Sequence, residues 1–358
     1  MVTVKRSELE KKLSVITSSL PSISTAPLLG RNINGLLTFW QDSYMPIWDS
    51  VSSEGNEEFE FSVDPSQFGM VVNKFKSATL DLNINSKKAM IISSGKSKVT
   101  VPYRDGPYDE IPEAPIMEIS CTVGRDFLKA LAKSKDFVSK TYENMGLTYS
   151  YIGHRNGEFF ITGAGTIYQY ATFVPFIGEI LPDVIVPPQY ASIAPRLFAS
   201  ESVQIGLSDR QQVVMSDGST IIYTRSANET YPTTAFQLAD AEGELLFTSN
   251  KKVLLESLRL ALTTTKEDMV GLSGSDGKLE LYIPNAVLEA DLIVEDVSIV
   301  QDFSRSYFSL PFLIKCINSF DEDEIKVELL PRFNGAFRIG TKSDKEITVL
   351  QSISYLEP

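Results

Sequence analysis

Hydrophobic positions along this chain change period in a regular way. A short stretch alternating apolar and polar residues gives way, after a break of a few residues, to a three- or four-residue spacing, and the unit recurs six times. Val2-Thr3-Val4 precedes a helix over Ser7 to Ser18, and Phe59-Glu60-Phe61-Ser62-Val63 precedes one over Pro65 to Phe75. Met117-Glu118-Ile119-Ser120 leads into Arg125 to Ala132, and Asp183-Val184-Ile185-Val186 into Pro188 to Phe198. Leu245-Leu246-Phe247-Thr248 leads into Lys251 to Leu262, and Val297-Ser298-Ile299-Val300 into Leu310 to Phe320. Phe127, Leu128 and Leu131, or Leu254, Leu255, Leu258 and Leu262, show the helical spacing directly. Ser7, Asp64 and Ser249 or Asn250 can cap free backbone N–H groups. Pro65, Pro188 and Pro311 stand in first-turn positions, where a missing N–H costs little. Pro195 predicts a kinked or short fourth helix.

Between the helices the alternation has period two, as in Leu80-Asp81-Leu82-Asn83-Ile84 and Ile325-Lys326-Val327-Glu328-Leu329. Turns such as Ser216-Asp217-Gly218-Ser219 and Ser275-Asp276-Gly277-Lys278 separate the runs, which predicts antiparallel meanders with one buried face. The second, fourth and sixth helices are each followed closely by such strands, so the larger period spans two units. This predicts an α+β chain of three similar domains, 1–115, 116–243 and 244–358, each with two helices packed on antiparallel sheets. Ile111-Pro112-Glu113-Ala114-Pro115 and the stretch from Leu238 to Gly243 read as the connectors.

The 358 residues carry a net charge of -13, which taken alone argues against nucleic acid. Its distribution argues the reverse. The six helical segments, with generous ends, hold 16 Lys and Arg against 6 Asp and Glu, while the rest holds 17 against 40. Helices gathered on one surface would attract phosphates while the acidic remainder repels them, without reading bases.

The chemistry of catalysis is missing from the pattern. Cys121 and Cys316 lie in apolar stretches and read as reduced, buried residues. The single histidine, His154, reads as part of a hairpin turn. Gly163-Ala164-Gly165 lacks the third glycine of a dinucleotide loop, and Asp321-Glu322-Asp323-Glu324 lacks calcium-loop spacing, so it reads as a solvated turn. The expectation is a protein that is not an enzyme and needs no cofactor or metal. No run is long enough to span a membrane and the N-terminus lacks a signal-peptide core, so a cytoplasmic location, in a bacterium or an infected host, is expected.

At this point the chain resembles a known family, the bacterial DNA polymerase III beta-subunit sliding clamps, over nearly its whole length. The resemblance rests on Ser24-Thr25-Ala26-Pro27-Leu28-Leu29-Gly30, on Ser94 to Pro102 followed by Glu110-Ile111-Pro112, on Arg225, Glu229, Tyr231 and Pro232, and on Leu310 to Phe320. It implies a head-to-tail homodimeric ring that encircles double-stranded DNA, is opened by a clamp loader and tethers a replicative DNA polymerase. DNA-facing candidates are then Lys5, Arg6, Lys11, Lys12, Lys74, Lys76, Arg125, Lys129, Lys133, Arg196, Lys251, Lys252, Arg259 and Lys315. The resemblance also implies a groove for partner peptides, formed by Leu147, Gly163, Gly165, Thr166, Ile167, Tyr168, Pro232, Phe236, Gln237, Phe308, Phe312, Ala336 and Leu350. It places the dimer interface at Val99, Val101, Thr264 and Thr265. Three stretches depart from the family: Gly163 to Tyr168 replaces a Thr-Asp-Gly-His-Arg-Leu-like run, Leu350-Gln351-Ser352 replaces a Met-Pro or Leu-Pro, and Thr263-Thr264-Thr265 stands where the family is apolar. Such divergence fits a bacteriophage-encoded member. The competing reading is a clamp-fold ring that recruits replication proteins without encircling DNA.

Overall fold

Seven α-helices and long antiparallel sheets make up the described residues, which in this computed structural model are 1–358 apart from 20–25, 43–45, 107–109, 142, 199, 265–267, 285–290, 295, 344 and 355–358. The helices are α1 (Arg6–Ser19), α2 (Pro65–Lys74), α3 (Arg125–Ser134), α4 (Pro188–Leu197), α5 (Thr233–Asp240), α6 (Lys251–Thr264) and α7 (Leu310–Asn318). Six of them fall on the periodic segments. The Asp64 carboxylate accepts from the Gln67 N–H at 2.9 Å and so starts α2. Asn250 does the same for α6, accepting from the Lys252 N–H at 2.9 Å. Ser7 and Ser249 do not cap: Ser7 lies inside α1, which begins a residue earlier, and Ser249 belongs to the strand Glu244–Asn250. α4 carries Pro195 and stops two residues later, as a ring that blocks the backbone ladder requires.

Two readings need correction. His154 is not in a turn; it pairs with Phe159 within the hairpin Ser150–Arg155 and Glu158–Ala164. The turn is Asn156-Gly157, both at positive φ (51° and 83°), which is the backbone a tight two-residue hairpin demands. α5 is a helix the periodic units do not include, and it runs into the connector expected from Leu238 to Gly243. Its Ala235, Leu238 and Ala239 have helical spacing, but over eight residues the run is too short to stand out.

The chain divides into two compact units. One comprises Met1–Leu128, Phe176–Pro182 and Gln189–Ala227; the other comprises Lys129–Pro175, Asp183–Pro188 and Asn228–Pro358. The first holds a 13-stranded sheet and the packed pair α1 and α2. Its core includes Phe39, Phe61 and Phe68, whose rings meet at centroid separations of 5.9 to 6.4 Å. The second holds a nine-stranded and a four-stranded sheet with the packed pair α6 and α7. Its core gathers Leu254, Leu255, Leu258, Leu313, Ile317 and Phe320 from the helices against Phe247, Phe308, Phe337 and Leu350 from the strands. Cys316 lies in this core, and burial pushes its thiol and that of Cys121 up to about 12, as inert packing residues require.

Within each unit one join has the same form. In the first, Ile47–Glu54 pairs antiparallel with Thr220–Arg225 through Thr220 opposite Asp49, Ile221 opposite Trp48 and Ile222 opposite Ile47. In the second, Tyr168–Val174 pairs antiparallel with Glu346–Leu350 from Tyr168 opposite Leu350 to Thr172 opposite Glu346. The first strand of each join is the third after α1 or α3. The second is the third after α4 or α7.

Candidate partner groove and basic helix faces

The second join positions a pocket. Gly165 to Ile167 lead into the strand Tyr168–Val174, Val349 and Gln351 lie beside it, and α5 closes over its edge with Ala235 and Leu238. The cavity holds about 420 Å³ and is lined by Asn144, Leu147, Ala164, Gly165, Thr166, Ile167, Tyr168, Gln169, Pro232, Thr234, Ala235, Leu238, Arg332, Phe333, Asn334, Ala336, Val349 and Gln351. Its floor is a satellite core in which Leu238, Ala241 and Phe333 pack on Leu330, Ala336 and Val349. A concave, mainly apolar site with a few polar groups at its rim can take the side chains of an extended peptide. Among the described residues that line it, no nucleophile has a base beside it.

Seven of the groove residues expected from the sequence line this pocket: Leu147, Gly165, Thr166, Ile167, Tyr168, Pro232 and Ala336. Six do not. Phe308 and Leu350 are fully buried in the main core of the unit. Phe312 lies behind the pocket wall, stacked on Tyr168 at 4.2 Å between centroids. Phe236 turns to Tyr151 at 4.9 Å and under the Arg155 guanidinium at 4.6 Å, and Gln237 is exposed. Gly163 serves close approach of backbone: a Cβ there would stand 1.9 Å from the Ser134 carbonyl oxygen. The strand explains part of the mismatch. Val349, opposite Gln169, faces the pocket, while its neighbour Leu350 faces the core, because consecutive strand residues point to opposite sides. The sequence expectation omits Leu238 on α5 and Arg332 and Phe333 on the one-turn 3-10 helix Pro331–Phe333; the signals there are Pro232 and Pro331 as turn punctuation and the short helical spacing of Ala235, Leu238 and Ala239.

Tyr168 ties the pocket to the helix side of the unit. Lys315 on α7 lies over the rings of Phe137, Tyr168 and Phe312 at 4.8, 5.0 and 5.9 Å, and donates to the Asp136 carbonyl oxygen. Burial pulls its pKa below the ordinary lysine value.

The basic helix residues divide into two groups. Several are held within their own unit. Lys12 donates to Asp49 at 2.6 Å, Thr220 at 2.6 Å and Ser219 at 3.2 Å. Arg6 pairs with Glu10 at 2.7 Å and donates to the Ser77 carbonyl oxygen, and Lys5 pairs with Glu8 at 3.1 Å. Lys133 pairs with Glu346 at 2.8 Å and Asp321 at 3.3 Å, Lys251 donates to the Phe320 carbonyl oxygen at 2.7 Å, and Arg125 stands 3.9 Å from Glu201. The acidic turn is engaged as well: Glu322 accepts from Thr341 at 2.8 Å and Ser343 at 3.1 Å. The second group, Lys11, Lys74, Lys76, Lys129, Arg196, Lys252 and Arg259, is exposed. The positive field available to a ligand is therefore smaller than the helix count suggests.

Of the expected interface residues, Val99 is 39% exposed on the edge strand Ser97–Val101, whereas Val101 is buried in its own unit. Thr264 is half-buried at the end of α6, and Thr265 lies outside the described residues. No helix among the described residues is long and apolar enough to cross a membrane.

The sequence matches no family profile and no curated protein. The structure matches many solved ones. It is similar to the DNA polymerase III beta subunit of Thermotoga maritima at TM-score 0.86 and 15% identity, covering 99% of each chain. It is similar to the DNA polymerase III subunit beta of Pseudomonas aeruginosa at TM-score 0.87 and 15% identity, covering 99% of this chain and 100% of that one. It is similar to the DNA polymerase sliding clamp of Bacillus subtilis at TM-score 0.83 and 17% identity, covering 99% of each. Alternating strand and helix units, the repeated join and this end-to-end correspondence together establish that the chain has the fold of the DNA polymerase III beta-subunit sliding clamps.

Proposed function

We propose that the chain is a sliding clamp: a homodimeric ring around double-stranded DNA that tethers a replicative DNA polymerase through the pocket beside Tyr168 and performs no catalysis. The observation that carries this reading is the incomplete set of joins. Taking the chain as three repeats, 1–115, 116–243 and 244–358, the third strand after α1, α3 and α6 is Ile47–Glu54, Tyr168–Val174 and Asp291–Val294. The third strand after α2, α4 and α7 is Ser97–Val101, Thr220–Arg225 and Glu346–Leu350. Two of the three possible joins are made inside the chain. Among the described residues the remaining strands, Asp291–Val294 and Ser97–Val101, are sheet edges. Unpaired edges invite pairing with another chain, and a head-to-tail contact of this kind closes into a ring when the rotation completes a turn. Val99 at 39% exposure and Ile293 at 54% supply apolar surface on the two edges.

A closed ring holds DNA by topology, so weak phosphate attraction from the exposed Lys11, Lys74, Lys129 and Lys252 suffices. A cytoplasmic site of action and a clamp loader that opens the ring belong to the same reading. The alternative, a ring that recruits partners without enclosing DNA, draws support from the internal pairing of Lys12, Lys133 and Lys251.

Retention on DNA separates the two. On linear duplex loaded by diffusion over free ends, the protein is expected to be retained only when the ends are blocked afterwards, and to be lost on cutting. Replacing Lys11, Lys74, Lys129 and Lys252 together by Glu is expected to lower the amount that threads onto the DNA, while what has threaded stays held by the blocked ends. Retention equal with open and blocked ends refutes topological enclosure.

A further inference from the structure

The pocket carries an unbalanced charge. Among the described residues Arg332 is the only charged one that lines it. The arginine is exposed, and among the described residues nothing bonds or pairs with its guanidinium. Its backbone, by contrast, is firmly placed. Pro331 opens the one-turn 3-10 helix, Phe333 packs on Leu330, Ala336 and Val349, and Asn334 and Gly335 turn the chain back at φ of 51° and 75°. Ser352 donates to the Asn334 carbonyl oxygen at 2.8 Å and braces the same turn. A fixed stem bearing an uncommitted planar cation, at the edge of an apolar cavity, is suited to a carboxylate.

We propose that the pocket selects an extended partner peptide in which an apolar anchor is accompanied by an acidic side chain, and that Arg332 reads the acid. This rests on the pocket being a partner groove. The anchor would fill the space among Leu147, Ile167, Tyr168, Leu238 and Val349, while the carboxylate meets the guanidinium at the rim. The apolar part supplies most of the affinity and the charge supplies the choice between partners.

The test uses the whole protein and blocked octapeptides of serine and glycine with one Leu-Leu pair. Glutamate is placed at each remaining position in turn, and each peptide has a glutamine twin. Binding is followed by NMR titration to millimolar concentration. At least one glutamate position is expected to bind about fivefold tighter than its twin at low salt, the ceiling for a solvent-facing pair. The ratio should shrink as salt rises and fall to about one in Arg332→Gln, whose fold is checked by its thermal melt. Equal binding of every twin pair overturns charge selection and leaves the groove standing. A gain seen only with an unblocked C-terminus assigns Arg332 to chain ends and overturns the side-chain reading. No binding by any peptide overturns the groove itself.

Discussion

Asp49 shows how much one buried carboxylate can constrain its surroundings. Its side chain is fully buried, Lys12 is 19% exposed, and Thr220 donates to the same carboxylate oxygen at 2.8 Å. Burial raises the Asp49 pKa, and Lys12 opposes the rise without cancelling it. The folded state thus holds a proton on Asp49 more readily than the unfolded chain does, so its contribution to stability falls as pH rises through the window above 3.8. Lys12→Met strips away the compensating charge and is expected to cost about 3–5 kcal/mol at neutral pH. That cost should diminish as pH drops through the raised Asp49 pKa, because a protonated acid needs no cation. Denaturant melts of parent and variant at pH 7 and at pH 5 check the sign. Gly163→Ala is a second test, since overpacking costs about 1–3 kcal/mol and here the obstacle is the Ser134 backbone. Neither role could be read locally: Lys12 looked like one more cation of a helix face, and Gly163 like a groove residue, because their decisive neighbours lie far away in sequence.

Elements were far more legible than residues. A switch from period two to helical spacing is a property of ten or so neighbouring positions, and it located six helices and a strand ahead of each. The face of α6 follows from the same spacing. Leu258 is fully buried while Leu260 is 53% exposed. Leu258→Ala is therefore expected to cost about 2–5 kcal/mol, and Leu260→Ala to stay within about 0.5 kcal/mol. Equal effects in chemical denaturation would contradict the assigned face. α5 escaped notice because it is one short segment, opened by Pro232 with no capping side chain and burying a single alanine. It was also the element that completes the pocket, which is why Leu238 and Ala235 were absent from the expected lining.

At the scale of the whole molecule, the resemblance supplied the correct fold at 14–17% identity. The charge pattern carries less than its sum, since spacing along the chain does not show which helical cations meet carboxylates from other elements. The proposed dimer gives a direct check. Val99→Lys or Ile293→Lys alters only exposed edge positions, so the secondary structure seen by circular dichroism should persist. The solution mass should drop from twice to once 39.7 kDa at concentrations where the parent is dimeric. A parent that sediments as a monomer at every concentration would remove the basis for a ring.

Tyr168 belongs at once to the pocket wall and to the stack of Phe312 and Lys315. Trp40 and Trp48 both lie in the other unit, packed together with centroids 6.0 Å apart. Among the described residues Tyr168 is the tyrosine of the pocket lining, so a ligand that fills the cavity is expected to perturb its near-ultraviolet band, and difference absorbance can record that change against the constant background of the other tyrosines and tryptophans without attaching a dye.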